Sequence, residues 1–74
     1  MEIYRKGKRE LFKFSNEGVE TVNRAIPAIC FVASDNTKKY YEEIWEVSTP
    51  ITKKEYDERR REVAIFFNPD SNNQ

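Results

Sequence analysis

Thr52-Lys53-Lys54-Glu55, the apolar residues spaced behind it and the closing Asn68-Pro69 commit the last third of this chain to a single helix. Threonine followed three residues later by glutamate is the pattern of a capping box. In it the Thr52 hydroxyl accepts from the backbone N–H of Glu55, and the Glu55 carboxylate accepts from that of Thr52. Ile51 and Tyr56 occupy the two positions of a hydrophobic staple. Tyr56, Arg60, Val63 and Phe67 then recur at i, i+4, i+7 and i+11 on one face, until Asn68-Pro69 makes continuation unfavourable. The predicted helix runs from Lys53 to about Phe66. Arg60 is the one charge in that stripe, so it has to extend to solvent, find a buried carboxylate or face a partner.

The rest of the chain must supply a surface for that helix, and there is little of it. A domain of this size buries only about 60% of the surface its unfolded chain exposes. With 38% hydrophobic residues against 35% charged ones, the core has to be thin. Cys30 has no second cysteine to bridge to, and the absence of histidine removes the common zinc ligand sets. Stability therefore has to come from packing ten aromatic residues or from self-association.

Residues 2–14 read as a β-hairpin, Glu2 to Arg5 and Arg9 to Phe14, turning near Gly7, where a glycine can take positive φ. A loop of Gly7, Lys8 and Arg9 sets Tyr4 opposite Phe12; a loop of Lys6, Gly7 and Lys8 sets Ile3 opposite Leu11. Ser15 or Asn16 then suits an N-cap, and Val19, Val22 and Ile26 follow at helical spacing before Pro27, which predicts a short helix from about Asn16 to Arg24. Ala28 to Ala33 is short, β-branched and aromatic, and it ends at the turn cluster Ser34-Asp35-Asn36-Thr37. It is the expected central, most buried strand, with Cys30 a buried structural thiol.

Residues 38–48 fit two patterns. Tyr40, Tyr41, Ile44, Trp45 and Ser48 form a helical stripe. As a strand, Tyr41, Trp45 and Val47 share one face while Tyr40 and Ile44 share the other. Lysines at the start and glutamates at the end oppose a helix dipole, and the aromatic and β-branched content suits a strand, so a strand paired with 28–34 is expected, with helix the competing possibility. The expected fold is α+β: a small single domain over residues 1–67 in ββαββα order, an antiparallel sheet of about four strands with two helices on one face, and a disordered tail at 68–74.

The catalytic inventory is poor. There is no histidine for general base work, no Gly-x-Ser-x-Gly elbow, no phosphate-binding Gly-x-x-x-x-Gly-Lys-Ser/Thr loop and no Cys-x-x-Cys pair. No enzyme activity, cofactor or small-molecule substrate is expected. The longest apolar run, Ala25 to Ala33, holds Pro27 and falls far short of the roughly 18 residues of a membrane span. With no secretory signal visible, a soluble cytoplasmic protein is expected, with no membrane partner.

Two surfaces qualify as binding sites. Tyr40, Tyr41, Trp45 and Arg60 are the candidate protein interface, because exposed Tyr, Trp and Arg anchor protein contacts. The expected function is a non-enzymatic protein-binding module, such as an inhibitor, adaptor or regulatory subunit, whose partner is another protein or a second copy of itself. The alternative is nucleic-acid binding through Tyr4, Arg5, Lys6, Lys8, Arg9, Phe12 and Lys13, which interleave cations for phosphates with rings for bases. Net charge is zero, but residues 1–14 hold five basic groups against two acidic ones. Arg59 and Arg61, each four residues after an acid, read as solvated helix residues.

Overall fold

A computed structural model of the chain describes residues 2–33 and 38–67, with backbone alone at 38–41. The turn cluster at 34–37 and the expected tail at 68–74 lie outside the described residues. Four strands come first: β1 (Ile3–Lys6), β2 (Glu10–Ser15), β3 (Gly18–Asn23) and β4 (Ile29–Ala33). Helix α1 (Lys38–Glu46), the short strand β5 (Thr49–Pro50) and helix α2 (Lys53–Phe67) follow. All pairings are antiparallel, in the order β4-β3-β2-β1-β5. The α+β class holds, with five strands rather than four and β-β-β-β-α-β-α order rather than ββαββα.

The first hairpin forms where expected, in a register that neither loop anticipated. Gly7 N–H donates to the Glu10 carbonyl at 2.8 Å, so only Lys8 and Arg9 make the turn, and Ile3 faces Phe14 while Arg5 faces Phe12. Gly7 does not use positive φ. It is glycine because a Cβ there would sit 2.7 Å from the buried Phe12 ring.

The expected helix at 16–24 is strand β3. Ser15 uses its capping chemistry on a turn instead: its hydroxyl accepts from Glu17 N–H and donates to the Gly18 carbonyl, both at 3.3 Å. Val19, Thr21 and Val22 are β-branched, and pairing with both β2 and β4 satisfies their backbone on two sides. Asn23 closes β3 with an Asx turn, its Oδ1 accepting from Ala25 and Ile26 N–H at 2.8 and 2.9 Å.

Residues 38–46 are helical, against the expected strand. The unfavourable end charges are real, since α1 has no acid in its first turn and no base in its last. Packing outweighs them: Ile44 and Trp45 lie on Phe12, Phe14 and Val19, and tertiary burial of one face stabilises a short helix more than its dipole does.

Side-chain alternation along β2 splits the core in two. Leu11 and Val22 point to one face, where Tyr56 and Val63 of α2 cover them together with Tyr4, Ile29 and Ile51. Phe12, Phe14 and Val19 point to the other, under α1 and Ile3. The two helices therefore cover opposite faces of the sheet, not one face as expected. Each cluster is small, which is how a chain this short uses both sides of one sheet.

Helix α2 begins as predicted. Glu55 N–H donates to the Thr52 hydroxyl at 3.1 Å, and Ile51 packs against the cluster that holds Tyr56. Ile51 is itself held by its N–H donating to the Tyr4 carbonyl at 3.1 Å, which continues the β1–β5 pairing into the helix start. Thr52→Ala is expected to cost about 1 kcal/mol, read as a lower urea midpoint. An unchanged midpoint would exclude capping by Thr52.

Candidate interaction site

Arg60 stays exposed to solvent and also finds a carboxylate, that of the partly buried Glu20. Its Nε donates to Glu20 Oε1 at 2.7 Å and its Nη2 reaches Oε2 at 3.3 Å, across from β3. The Tyr56 hydroxyl donates to the same Oε1 at 2.6 Å. Burial pushes the Glu20 carboxyl up, but the hydrogen bonds from Arg60 and Tyr56 and the Arg60 charge outweigh it and hold the group below its ordinary value. Burial, then the bond to Glu20, pushes the Tyr56 hydroxyl well up, so it stays a donor. Arg60 thus ties α2 to the sheet through Glu20.

Trp45 is half-buried. Its ring meets Phe14 edge-on at a centroid distance of 5.5 Å, and the Arg5 guanidinium carbon lies 3.9 Å from the ring centroid. Arg5 also donates to the Ser48 hydroxyl at 2.7 Å, to the Ser48 carbonyl and to the Trp45 carbonyl. One arginine on β1 thus ties down the end of α1 and the approach to β5. Tyr40 and Tyr41 lie on α1, and their side chains are outside the described residues.

The basic and aromatic residues of the first hairpin are dispersed. Phe12 is buried and Arg5 engaged on the α1 face, whereas Tyr4, Lys6 and Lys13 point to the α2 face. There Tyr4 packs on Tyr56 at 5.3 Å and donates to Glu2 at 2.6 Å, a bond that pushes its hydroxyl up to about 12. Lys13 pairs with Glu2 at 3.3 Å. Lys8 and Arg9 stay exposed at the turn. Arg59 differs from its expected solvated role, since it donates to the Asn23 and Ile26 carbonyls at 2.9 and 3.2 Å and so pins α2 to the β3–β4 connection. Asp57, expected to support Arg61, bonds Lys53 at 2.6 Å instead.

Among the described residues a different surface stays uncovered. β4, expected at the centre of the sheet, is its outer strand and among the described residues pairs with β3 alone. Cys30 is exposed, contrary to its expected burial, and Phe31 is 52% exposed. Phe31 lines a concavity with Glu2, Lys13, Ser15, Glu17 and Glu20. At the end of α2, Phe66 and Phe67 are 66% and 56% exposed and meet edge-to-face at 6.0 Å, so Phe67 does not continue the buried stripe of Tyr56 and Val63.

Reasoning from residue types missed this surface. Uncharged, β-branched and aromatic stretches are common to central strands and to unprotected edges, and only the pairing partner separates the two. The opposite edge is of the protected kind: β5 is two residues long and ends in Pro50. Among the described residues no helix is long and apolar enough to cross a membrane. Comparison of the chain with protein-family models, curated proteins and solved structures finds no match.

Proposed function

We propose that this chain is a small, non-enzymatic protein-binding module that works by strand addition at β4. The observation that carries the proposal is an outer strand of five residues, Ile29 to Ala33, with no charge and no proline and with an exposed phenylalanine at its centre. Natural edges are usually blunted by charges, prolines or brevity, as β5 is, and an edge left open is a template for another strand. Backbone bonds then supply affinity, and pockets for alternate side chains supply selectivity.

A nucleic-acid surface has less support. Its rings, Tyr4 and Phe12, are packed on opposite faces of the sheet, and Arg5 and Lys13 have protein partners. Base stacking needs free aromatic faces beside free cations.

Panning a random peptide library on the wild-type chain and on Phe31→Lys tests the assignment. Peptides enriched on the wild type are expected to bind the lysine variant about tenfold or more weakly, a difference of about 1.4 kcal/mol. Enrichment that ignores the substitution would remove β4 from the site. Binding of a labelled single-stranded oligonucleotide that weakens steeply with salt, with no peptide enriched, would favour the nucleic-acid alternative.

A further inference from the structure

Resting on the protein-binding function proposed above, we infer that the strand β4 receives is the β4 of a second copy, antiparallel and centred on Phe31, so that the two sheets run on as one. The backbone sets the register. Asn23 N–H donates to the Ala28 carbonyl at 2.9 Å, which makes that pair a hydrogen-bonded one in the β3–β4 ladder. Hydrogen-bonded and non-hydrogen-bonded pairs alternate along an antiparallel ladder. With Thr21 opposite Cys30 and Val19 opposite Val32, the residues of β4 that turn their N–H and C=O toward β3 are Cys30 and Val32, in step with the Ala28 carbonyl, while Ala28 N–H donates to the Ile26 carbonyl. Ile29, Phe31 and Ala33 turn theirs outward.

These three outward residues are symmetric about Phe31. A two-fold axis there lets Phe31 exchange both of its bonds with the second copy's Phe31, and lets Ile29 exchange both with the second copy's Ala33. Every outward N–H and C=O of the strand then has a partner, and no like charges meet at the axis. A two-fold contact uses the same patch twice, which suits an edge that complements itself.

The flanking charges favour the same antiparallel arrangement. At the end of the sheet where β4 starts, Arg59 bonds the β3–β4 connection, and Arg24 of that connection reaches back to the Gly7 and Lys8 carbonyls, lining a concavity with Lys8, Arg9 and Ile26. Beside the end of β4, next to the Gly18–Ala33 pair, lies Glu17. Glu20 stands opposite Phe31 at the centre and is already held by Arg60 and Tyr56, and Glu2 and Lys13 lie further along the same concavity. Antiparallel pairing sets the basic end of one copy alongside the acidic end of the other, whereas parallel pairing sets like against like. A contact of five residues a side is small, so the dimer is a weak, concentration-dependent one.

In this register Cys30 faces the second copy's Val32 in a non-hydrogen-bonded pair, with Cα atoms about 4.5 Å apart, within disulfide range. Cys30 lies only diagonally from the second copy's Cys30, about 7–8 Å away. Val32→Cys in the full chain, oxidised with glutathione disulfide, is therefore expected to give a covalent dimer at least tenfold faster than the wild type. Peptide mapping should find position 30 joined to position 32. Oxidation no faster than in the wild type, or mapping that joins only like positions, would overturn the register.

Sedimentation equilibrium of the wild type and of Phe31→Lys does not depend on that variant folding. The wild type is expected to dimerise as concentration rises, and the lysine variant, with two like charges at the axis, to dimerise at least tenfold more weakly. A wild type that stays monomeric throughout while still binding peptides selected on its edge would overturn self-pairing and leave the strand-addition function standing. A monomer that binds no such peptide would overturn both.

Discussion

Tyr56→Ala is expected to leave the chain largely unfolded at room temperature. Among the described residues Tyr56 is the largest fully buried side chain, with 0% of its surface exposed. It holds three elements at once: its ring packs on Tyr4 of β1, its body fills the cluster of Leu11, Val22 and Val63, and its hydroxyl donates to Glu20 of β3. Truncating a buried aromatic to alanine costs about 3–5 kcal/mol, and folded domains have only about 5–15 kcal/mol in all, the smallest ones lying toward the lower end. Trp45 is the only tryptophan and is held against the sheet, so its fluorescence in a urea titration reports the loss. Tyr56→Phe separates the ring from the hydroxyl. It keeps the packing, leaves Glu20 its bonds from Arg60, and is expected to cost about 1–2 kcal/mol. A Tyr56→Ala midpoint close to that of the wild type would mean that the α2 face does not hold the fold together.

Gly18→Ala is expected to be the second most damaging substitution, for reasons of backbone rather than burial. Gly18 has φ of 148°, a conformation that residues with a Cβ rarely adopt. A Cβ there would also lie 2.1 Å from the Val32 carbonyl oxygen and 2.9 Å from the Phe31 ring. The first obstacle is the backbone of the neighbouring strand, which cannot swing aside as a side chain can. Either β4 separates from β3 or the turn after Ser15 is rebuilt, at a cost of about 3 kcal/mol or more. Hydrogen exchange should show protection lost first in β3 and β4, with the β1–β2 hairpin kept. Uniform loss of protection, or none, would place the strain elsewhere.

Both substitutions touch places where local sequence carried different amounts of information. Tyr56 was legible: the capping box, the staple and the stripe all describe α2 without knowledge of what it packs on. Gly18 was not. Inside a short run with Val19, Val22 and Ile26 it looks like a defect in a helix, and only pairing on both sides of 18–23 turns that spacing into a strand. Ser15 is ambiguous for a related reason, because its hydroxyl bonds a nearby N–H equally well at a helix start and in a turn.

The candidate site divides the same way. Arg60 was identifiable as needing a partner, since a charge in an apolar stripe must be resolved somehow, but Glu20 lies forty residues away and no local pattern selects it. Trp45 was identifiable as an aromatic of consequence, yet it serves the core under Arg5 rather than an exposed strand face. Phe31 and the β4 edge went unseen because the same six residues, Ala28 to Ala33, describe a buried strand and an open one.

By itself, then, the sequence determined that the domain is α+β, where α2 starts, that the chain opens with a hairpin, and that no disulfide closes it within one copy. These follow from interactions within a few residues or from composition, and they survive whatever the rest of the chain does. Tertiary structure alone decided that 18–23 is a strand and 38–46 a helix, that the helices take opposite faces, and that β4 lies at the edge. Those outcomes turn on which surfaces remain to be covered once β1, β2 and β3 have paired, and the free energy of covering them exceeds the small local preferences that pointed the other way.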